Sequence, residues 1–323
     1  MIFLTGDYIG QHISIDPDDW FIGDEEVEDT YPVLLAVHSL LVSKLSEKFP
    51  DTLIIPAFGN NDTIFHDNPT PLDEEYFFFT YMFNQWFNIL PYNDECLADQ
   101  KDAIQETFLK GGYYRVDIND QISVLSLNTL FWAEERCANN TDADKCTSEN
   151  IDVGPRTEEA MNWLEEQLSQ HSYGDRKFII ISHIYPGARY DNDFNEGEQL
   201  TDEVNTQKYF EILEKNKDRI LIELGGHDHF ASLRTHESDS GGYYHNLAVT
   251  AGISPRYTNN PGVTSFEITS DKLIPHKLRS SFLNLSATFG YEEVPNLKKL
   301  EFRKLDYGRA FGIEELTPEG IYE

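Results

Sequence analysis

The sequence predicts an α/β domain built in layers, and three observations carry that expectation. Short apolar runs such as Leu53-Ile54-Ile55, Phe178-Ile179-Ile180-Ile181 and Ile220-Leu221-Ile222 have the length and side-chain branching of buried strands. They alternate with stretches whose apolar residues recur every three or four positions, the pattern of amphipathic helices. Paired strand-like runs then close the pattern, so that helices and strands share one layered core.

The elements follow in order. Ile2 to Thr5 reads as a strand that ends at Gly6-Asp7. A polar, acidic loop through His12 leads to a helix from about Pro32, with proline in its first turn and Leu34, Val37, Leu41 and Leu45 on one face. Leu53 to Ile55 forms a second strand and delivers Gly59-Asn60-Asn61-Asp62. Leu72 to about Trp86 is an aromatic-rich amphipathic helix, and a helix around Ala103 to Leu109 is stopped by Gly111-Gly112. Tyr113 to Ile118 and Ile122 to Leu127 alternate around Asn119-Asp120 as a hairpin. A polar insertion with Cys137 and Cys146 precedes a helix opened by Thr157, with Met161, Leu164 and Leu168 facing inward.

Phe178 to Ile181 delivers Ser182-His183. After an acidic loop and a helix from Gln207 to Lys215, the strand ending at Gly225 delivers Gly226-His227-Asp228-His229. Tyr243 to Thr250 and Val263 to Ile268 are the last strands expected. The texture then turns polar, which predicts a main domain of 1–269 and a C-terminal helical extension of 270–323 packed on it.

The 323 residues, 40% hydrophobic and 13% aromatic, are enough for one large core. A formal charge of −32 repels nucleic acid and anionic membrane surfaces. No window approaches the roughly 18 uncharged apolar residues of a membrane span, and Met1 runs into Ile2-Phe3-Leu4-Thr5 without the basic segment of a signal peptide. An anionic substrate would need a strong local positive centre, which metal ions supply most economically. Cys137 and Cys146 close a short loop that can carry a disulfide, leaving Cys96 odd. Asn139-Asn140-Thr141 and Asn284-Leu285-Ser286 are glycosylation sequons, and with the cysteines they lean toward a secretory compartment.

Four strand ends carry metal-ligand side chains: Asp7, Asn60, His183, and the pair His227 and His229. Taken singly, Asp7 can cap a turn, Asn60 can hold a left-handed turn, and His183 can be a satisfied core histidine. In an open α/β sheet the carboxyl ends of strands converge on one edge, so together these residues predict one site. Two imidazoles at i and i+2 point the same way if the backbone between them is extended. Mixed His, Asp and Asn ligation suits zinc, manganese or iron, and a bridging carboxylate can serve two such ions. Paired ions polarise a phosphoryl oxygen and activate water, so the chemistry predicted is phosphoester hydrolysis.

The order Gly6-Asp7, Gly59-Asn60-Asn61-Asp62, Ser182-His183 and Gly226-His227-Asp228-His229 resembles the calcineurin-like metallophosphoesterase superfamily. Ser126-Leu127-Asn128-Thr129, His183-Ile184-Tyr185-Pro186-Gly187 and Asn259-Asn260-Pro261-Gly262 are similar to its acid sphingomyelinase-like phosphodiesterase and endopolyphosphatase branch, as is the tail from Tyr307-Gly308 to Leu316-Thr317-Pro318. The resemblance implies a four-layer α-β-β-α sandwich of two mixed sheets. It implies two divalent ions, zinc first, with manganese or iron as alternatives. Asp7 would bridge them, Asn60, His183 and His227 would hold one with it, and His229 would hold the other. The implied substrate is a small anionic phosphoester or polyphosphate, and the implied location is secreted or in a lysosomal or vacuolar lumen.

Two departures stand out. The family opens on a strand bearing Asp-x-His, and none of the ten histidines has Asp two residues before it. A domain incomplete at its N-terminus, with an incomplete second metal site, is therefore expected. A metal-binding relative without turnover is the alternative reading. Asn61 stands where most of the family has a histidine thought to protonate the leaving group, a task its amide cannot perform. His66, close behind, is the expected acid unless metal activation makes one unnecessary.

Overall fold

The computed structural model describes residues 1–9, 21–22, 25–26, 31–63, 68–134, 153–170, 174–190, 197–238, 241–255, 259–285, 301–313 and 315–322. Along the chain, β1 (Ile2–Leu4) and a short antiparallel pair, β2 (Phe21–Ile22) and β3 (Glu25–Glu26), precede α1 (Tyr31–Lys48). β4 (Ile54–Pro56) pairs with β1 in parallel, in the register Ile2 to Ile54. On its other side Asn93 acts as a substitute strand: Oδ1 accepts from Ile54 N at 3.0 Å and Nδ2 donates to Ile54 O at 2.6 Å. One side chain thus satisfies backbone groups that burial would otherwise leave stranded.

The aromatic helix α2 (Leu72–Phe83) does not run on to Trp86 as an α-helix; it loosens into a π-helical turn over Asn84–Ile89, with Gln85, Trp86 and Phe87 buried. After α3 (Pro91–Cys96), α4 (Lys101–Gly111) ends on Gly112 at φ 72, the left-handed cap expected of a glycine there. β5 (Tyr114–Asp117) and β6 (Ile122–Ser126) form the expected hairpin. α5 (Val153–Ser169) begins before Thr157, with Pro155 in its first turn. The Thr157 hydroxyl, expected as a cap, instead donates to Phe131 O at 2.9 Å.

β7 (Lys177–Ile181), the small pair β8 (Ala188–Tyr190) and β9 (Gly197–Gln199), and α6 (Glu203–Lys215) follow. α6 starts four residues before Gln207, because Asp202 caps it by accepting from Asn205 N at 2.9 Å. Next come β10 (Ile220–Gly225), β11 (Ser232–Glu237) and β12 (Tyr243–Val249). The central sheet has six strands in the order β11-β12-β10-β7-β6-β5, parallel except at its two edge strands.

Successive residues of β7 face opposite ways, and each face has its own core. Phe178 and Ile180 pack with Met161, Leu164 and Leu168 of α5 and Tyr209, Ile212 and Leu213 of α6. Ile179 and Ile181 pack with Ile54 and Ile55 of β4, Leu34 and Val42 of α1, and Phe78, Phe79 and Met82 of α2. The section is therefore helices, six-stranded sheet, second strand layer, helices, as the sequence led us to expect. That second layer is divided: β1 and β4 form a two-stranded parallel sheet, and β13 (Gly262–Ile268), β14 (Pro275–Leu283) and β15 (Phe302–Asp306) form a three-stranded antiparallel one. Phe3 of β1 stacks on Phe266 of β13 at 6.4 Å where the two meet.

Among its described residues, the stretch beyond Thr269, expected as a helical extension, has helices only in α7 (Tyr307–Phe311) and α8 (Pro318–Tyr322). Its larger share is β14 and β15, and β14 pairs with β13 across position 269. A register irregularity between Ser265 and Glu267 breaks the two-residue alternation that marks a strand in sequence. α8 lies against the central sheet, with Tyr322 stacked on Tyr243 at 4.1 Å. Among the described residues no helix is long and apolar enough to cross a membrane.

Candidate metal centre

The carboxyl ends of β1, β4, β7 and β10 meet, and the loops leaving them are bound to one another before any functional side chain is considered. Asp62 is the joint. Fully buried, its carboxylate accepts from Gly59 N and Asp7 N at 2.8 Å each and from Ile9 N at 3.2 Å. Burial and then the neighbouring Asp7 charge push its carboxyl up, against the pull of these donors. The β4 loop thereby captures the β1 loop and holds Asp7 at φ 52, a left-handed conformation that a non-glycine residue adopts only when its surroundings enforce it. Gly59 is obligatory because a Cβ there would strike the Asp7 backbone and carboxylate.

His183, 2% exposed, has its tautomer set by backbone: Nδ1 donates to Thr5 O at 2.6 Å. Nε2 then faces Asn60 Oδ1 at 2.8 Å and Asp7 Oδ2 at 3.2 Å. His227 joins from the β10 loop, with Nδ1 3.2 Å from the same Asn60 oxygen. A carboxylate, an amide oxygen and two imidazole nitrogens thus turn their electron pairs toward one point. Gly226 lets that loop approach, since a Cβ would lie 2.6 Å from Thr5 O and 2.9 Å from His183 Nδ1.

The electrostatics reflect this crowding of acceptors. Burial pushes the Asp7 carboxyl up, but His183 and the Asn61 backbone N–H more than reverse it and hold Asp7 below the usual carboxylate range. Burial opposes charge on His183, yet Asp7 beside it lifts its pKa. Burial, then the adjacent His183 charge, lowers His227 to about 3, so it is a neutral electron-pair donor. A divalent cation answers the same electron pairs that a proton on His183 Nε2 would, and the donor set fits such an ion. Among the described residues no group of three His, Cys, Asp or Glu side chains can hold a metal ion, so the set relies on Asn60.

Of the residues expected here, the structure brings Asp7, Asn60, His183 and His227 together. His229 follows on the same loop, and its C=O accepts from Gly252 N at 3.0 Å. The expected extended His-x-His is not found: His227 and His229 sit at φ 70 and 64. The reason is Asp228 between them, buried and held at Oδ2 by the Tyr185 hydroxyl and by Arg234 Nη2 at 3.2 Å. His66, Cys137 and Cys146 lie outside the described residues, whereas Cys96 is an exposed free thiol.

Sequence reasoning missed several supporting residues. Asp62 was visible only as a neighbour of Asn60, and Asn61 only as a departure from the family's histidine. Asp228, Tyr185 and Arg234 form a brace that joins two loops, with the Arg234 guanidinium 4.4 Å above the Tyr185 ring. Beneath the histidines, buried Glu223 is met by Ser182 Oγ at 3.1 Å and His245 Nε2 at 2.7 Å. An acidic residue inside the apolar run of β10 was the one available signal for that network.

No family model matches the chain. It is 26% identical over 295 residues to the human (Homo sapiens) cyclic GMP-AMP phosphodiesterase SMPDL3A, covering 87% of this chain and 57% of that protein. It is 27% identical over 220 residues to an endopolyphosphatase of Schizosaccharomyces pombe, covering 65% and 32%, and 25% identical over 320 residues to sphingomyelinase phosphodiesterase C of Dictyostelium discoideum, covering 94% and 63%. The chain therefore spans less than two thirds of each of these relatives. They align it with the metallophosphoesterase superfamily. The proteins it is similar to include ones named endopolyphosphatase and acid sphingomyelinase-like phosphodiesterase.

Proposed function

We propose that this chain is the catalytic core of a metal-dependent hydrolase of phosphodiester or phosphoanhydride bonds. One observation carries the reading. His183 Nε2, whose partner nitrogen is committed to Thr5 O, faces two oxygens at 2.8 and 3.2 Å. Three such electron-pair donors this close require either a proton on Nε2 or a metal cation between them, and a divalent ion answers all of them together with His227.

In this reading Asp7, Asn60, His183 and His227 hold one divalent ion, and His229 contributes to a second. Zinc is the expected metal, with manganese or iron as alternatives. The ions supply Lewis-acid activation of the phosphoryl oxygen and of the attacking water. The chain's own residues do the positioning. Thr5 O fixes the His183 tautomer, Asp62 fixes the two loops relative to each other, and Asp228 anchors the loop of the two histidines. His66 is the proposed acid for the leaving group. Its relatives' names and the sequons together favour a small anionic phosphoester or polyphosphate substrate and a secreted or lysosomal or vacuolar lumen.

A second reading, a relative that binds one metal without turnover, is favoured by Asp7, Asn60, His183 and His227 converging as a donor set sufficient for a single ion. Metal analysis of the purified protein, with hydrolysis of bis-p-nitrophenyl phosphate under added zinc or manganese, separates the two. Metal uptake with turnover supports the hydrolase. Uptake without turnover supports the binder, and neither metal nor turnover refutes both.

A further inference from the structure

We infer that Asn61 is a positioning residue that clamps both oxygens of the Asp7 carboxylate and presents them to a metal in one orientation; this rests on the metal-dependent reading above. Its backbone N–H donates to Asp7 Oδ1 at 2.9 Å and its side-chain amide donates to Asp7 Oδ2 at 2.7 Å. One residue therefore grips a whole carboxylate. The arrangement matches the forked grip that a guanidinium makes, but it brings no charge that would repel a cation.

The main chain of Asp7 is held as well. The Asp7 N–H is tied to Asp62 and its φ is 52, so the main chain cannot rotate to compensate for a lost side-chain bond. The carboxylate is then aimed with Oδ2 at His183 Nε2, 3.2 Å away. Asn61 is itself 2% exposed, so no water competes cheaply for its amide hydrogens. Its orientation follows from the network, because an exchanged amide would turn Oδ1 toward the carboxylate. The remaining Asn61 Oδ1 is buried without a hydrogen-bond partner. Against that cost stands the two-point hold on Asp7.

The residue types that might replace it fail for distinct reasons. Aspartate has the same shape but turns the donor into an acceptor, setting two carboxylates against each other. A histidine can offer an N–H at the same bond count through Nδ1, but only on a rigid ring whose remaining atoms need room that this buried position must then provide. The amide at 61 thus exchanges an acid's role for a holder's role, and the consequence is specific: metal affinity depends on Asn61, whereas sensitivity to the leaving group does not.

The experiment compares the full chain with Asn61→Ala and Asn61→Asp. Zinc affinity is measured by competition with a chromophoric chelator, and kcat is measured at saturating zinc for a series of aryl phosphodiesters of graded leaving-group pKa. Partners that orient a ligand alter metal affinity about 10–100-fold when removed, and a loss of that size is expected in both variants, with the slope of log kcat against leaving-group pKa unchanged. Asn61→Ser, which keeps one donor, should fall between wild type and alanine, and it replaces Asn61→Ala should that variant melt below assay temperature. Zinc affinity equal to wild type in the variants overturns the clamp, as does a steepened leaving-group slope. A wild-type chain that takes up no zinc fails differently: it sinks the metal-dependent reading itself and the clamp with it.

Discussion

Replacing Asp62 with asparagine changes one atom and tests the joint between the β1 and β4 loops. The carboxylate accepts three backbone N–H groups, two on Oδ2 and one on Oδ1, with no solvent exposure. An asparagine oriented to keep its oxygen toward Asp7 and Gly59 turns N–H₂ against Ile9 N–H. One bond to a charged acceptor is lost, at about 1.5–3 kcal/mol, and two others weaken from charged to neutral, by about 1 kcal/mol each. Against this, the variant no longer buries a charge beside Asp7, which returns part of the loss. We expect a net destabilisation of about 3 kcal/mol, a large fraction of the roughly 5–15 kcal/mol of a typical domain. Urea unfolding at neutral pH, with the slope unchanged and the midpoint lowered, measures it. Amide exchange at Asp7, Ile9 and Gly59 should accelerate together. A shift below about 0.5 kcal/mol, or protection kept at those three amides, would refute the view that Asp62 joins the loops.

Further expectations follow from the same structure. His38 is buried on α1 with Nε2 3.0 Å from Asp62 O, and burial lowers its pKa from 6.5 to about 4. The unfolded chain therefore binds the extra proton first, and stability falls as pH drops from 6.5 to about 4. The difference of 2.5 in pKa corresponds to at most about 3–4 kcal/mol, which His38→Gln should remove from the pH profile of unfolding. Arg156 donates to Thr70 O at 3.0 Å and to Glu75 at 2.8 Å while covering the Phe131 ring at 4.5 Å. Arg156→Met should cost about 3 kcal/mol in urea melts by leaving Glu75 unpaired, and the double variant with Glu75→Gln should recover part of it. His183→Ala should abolish zinc uptake measured by atomic emission, whereas His229→Ala should leave at least one equivalent bound; equal loss in both would contradict the grouping of the four donors.

Much of the site was legible because each donor follows its own buried apolar run. Asp7, Asn60 and His183 are announced by Ile2 to Leu4, Ile54-Ile55 and Phe178 to Ile181, and parallel pairing carries those strand ends to one edge. The conformation of the His227 loop was not legible, because it depends on Tyr185 and Arg234 reaching Asp228 from 43 residues before it and 6 after it. β11 was missed for a different reason. As an edge strand it carries Arg234, Thr235 and His236, and polar edge strands lack the apolar alternation that sequence reading depends on. The tail was misread because the inward residues of β14, Pro275, Leu278 and Ser280, keep no single period.

The close approach of Gly59 to Asp7 and of Gly226 to Thr5 and His183 bears on how this protein tolerates variation. Neither glycine carries any chemistry, and neither would be chosen by a search for reactive side chains. Yet even alanine at either position must push a loop that carries one of the converging donors out of place, whereas many substitutions on exposed helix faces would pass unnoticed. In a saturation library selected for activity, these two positions should therefore be as intolerant as His183, while a selection for folding alone should distinguish them from it. The mutational footprint of the site extends beyond its ligands to the places where the backbone has no space to give.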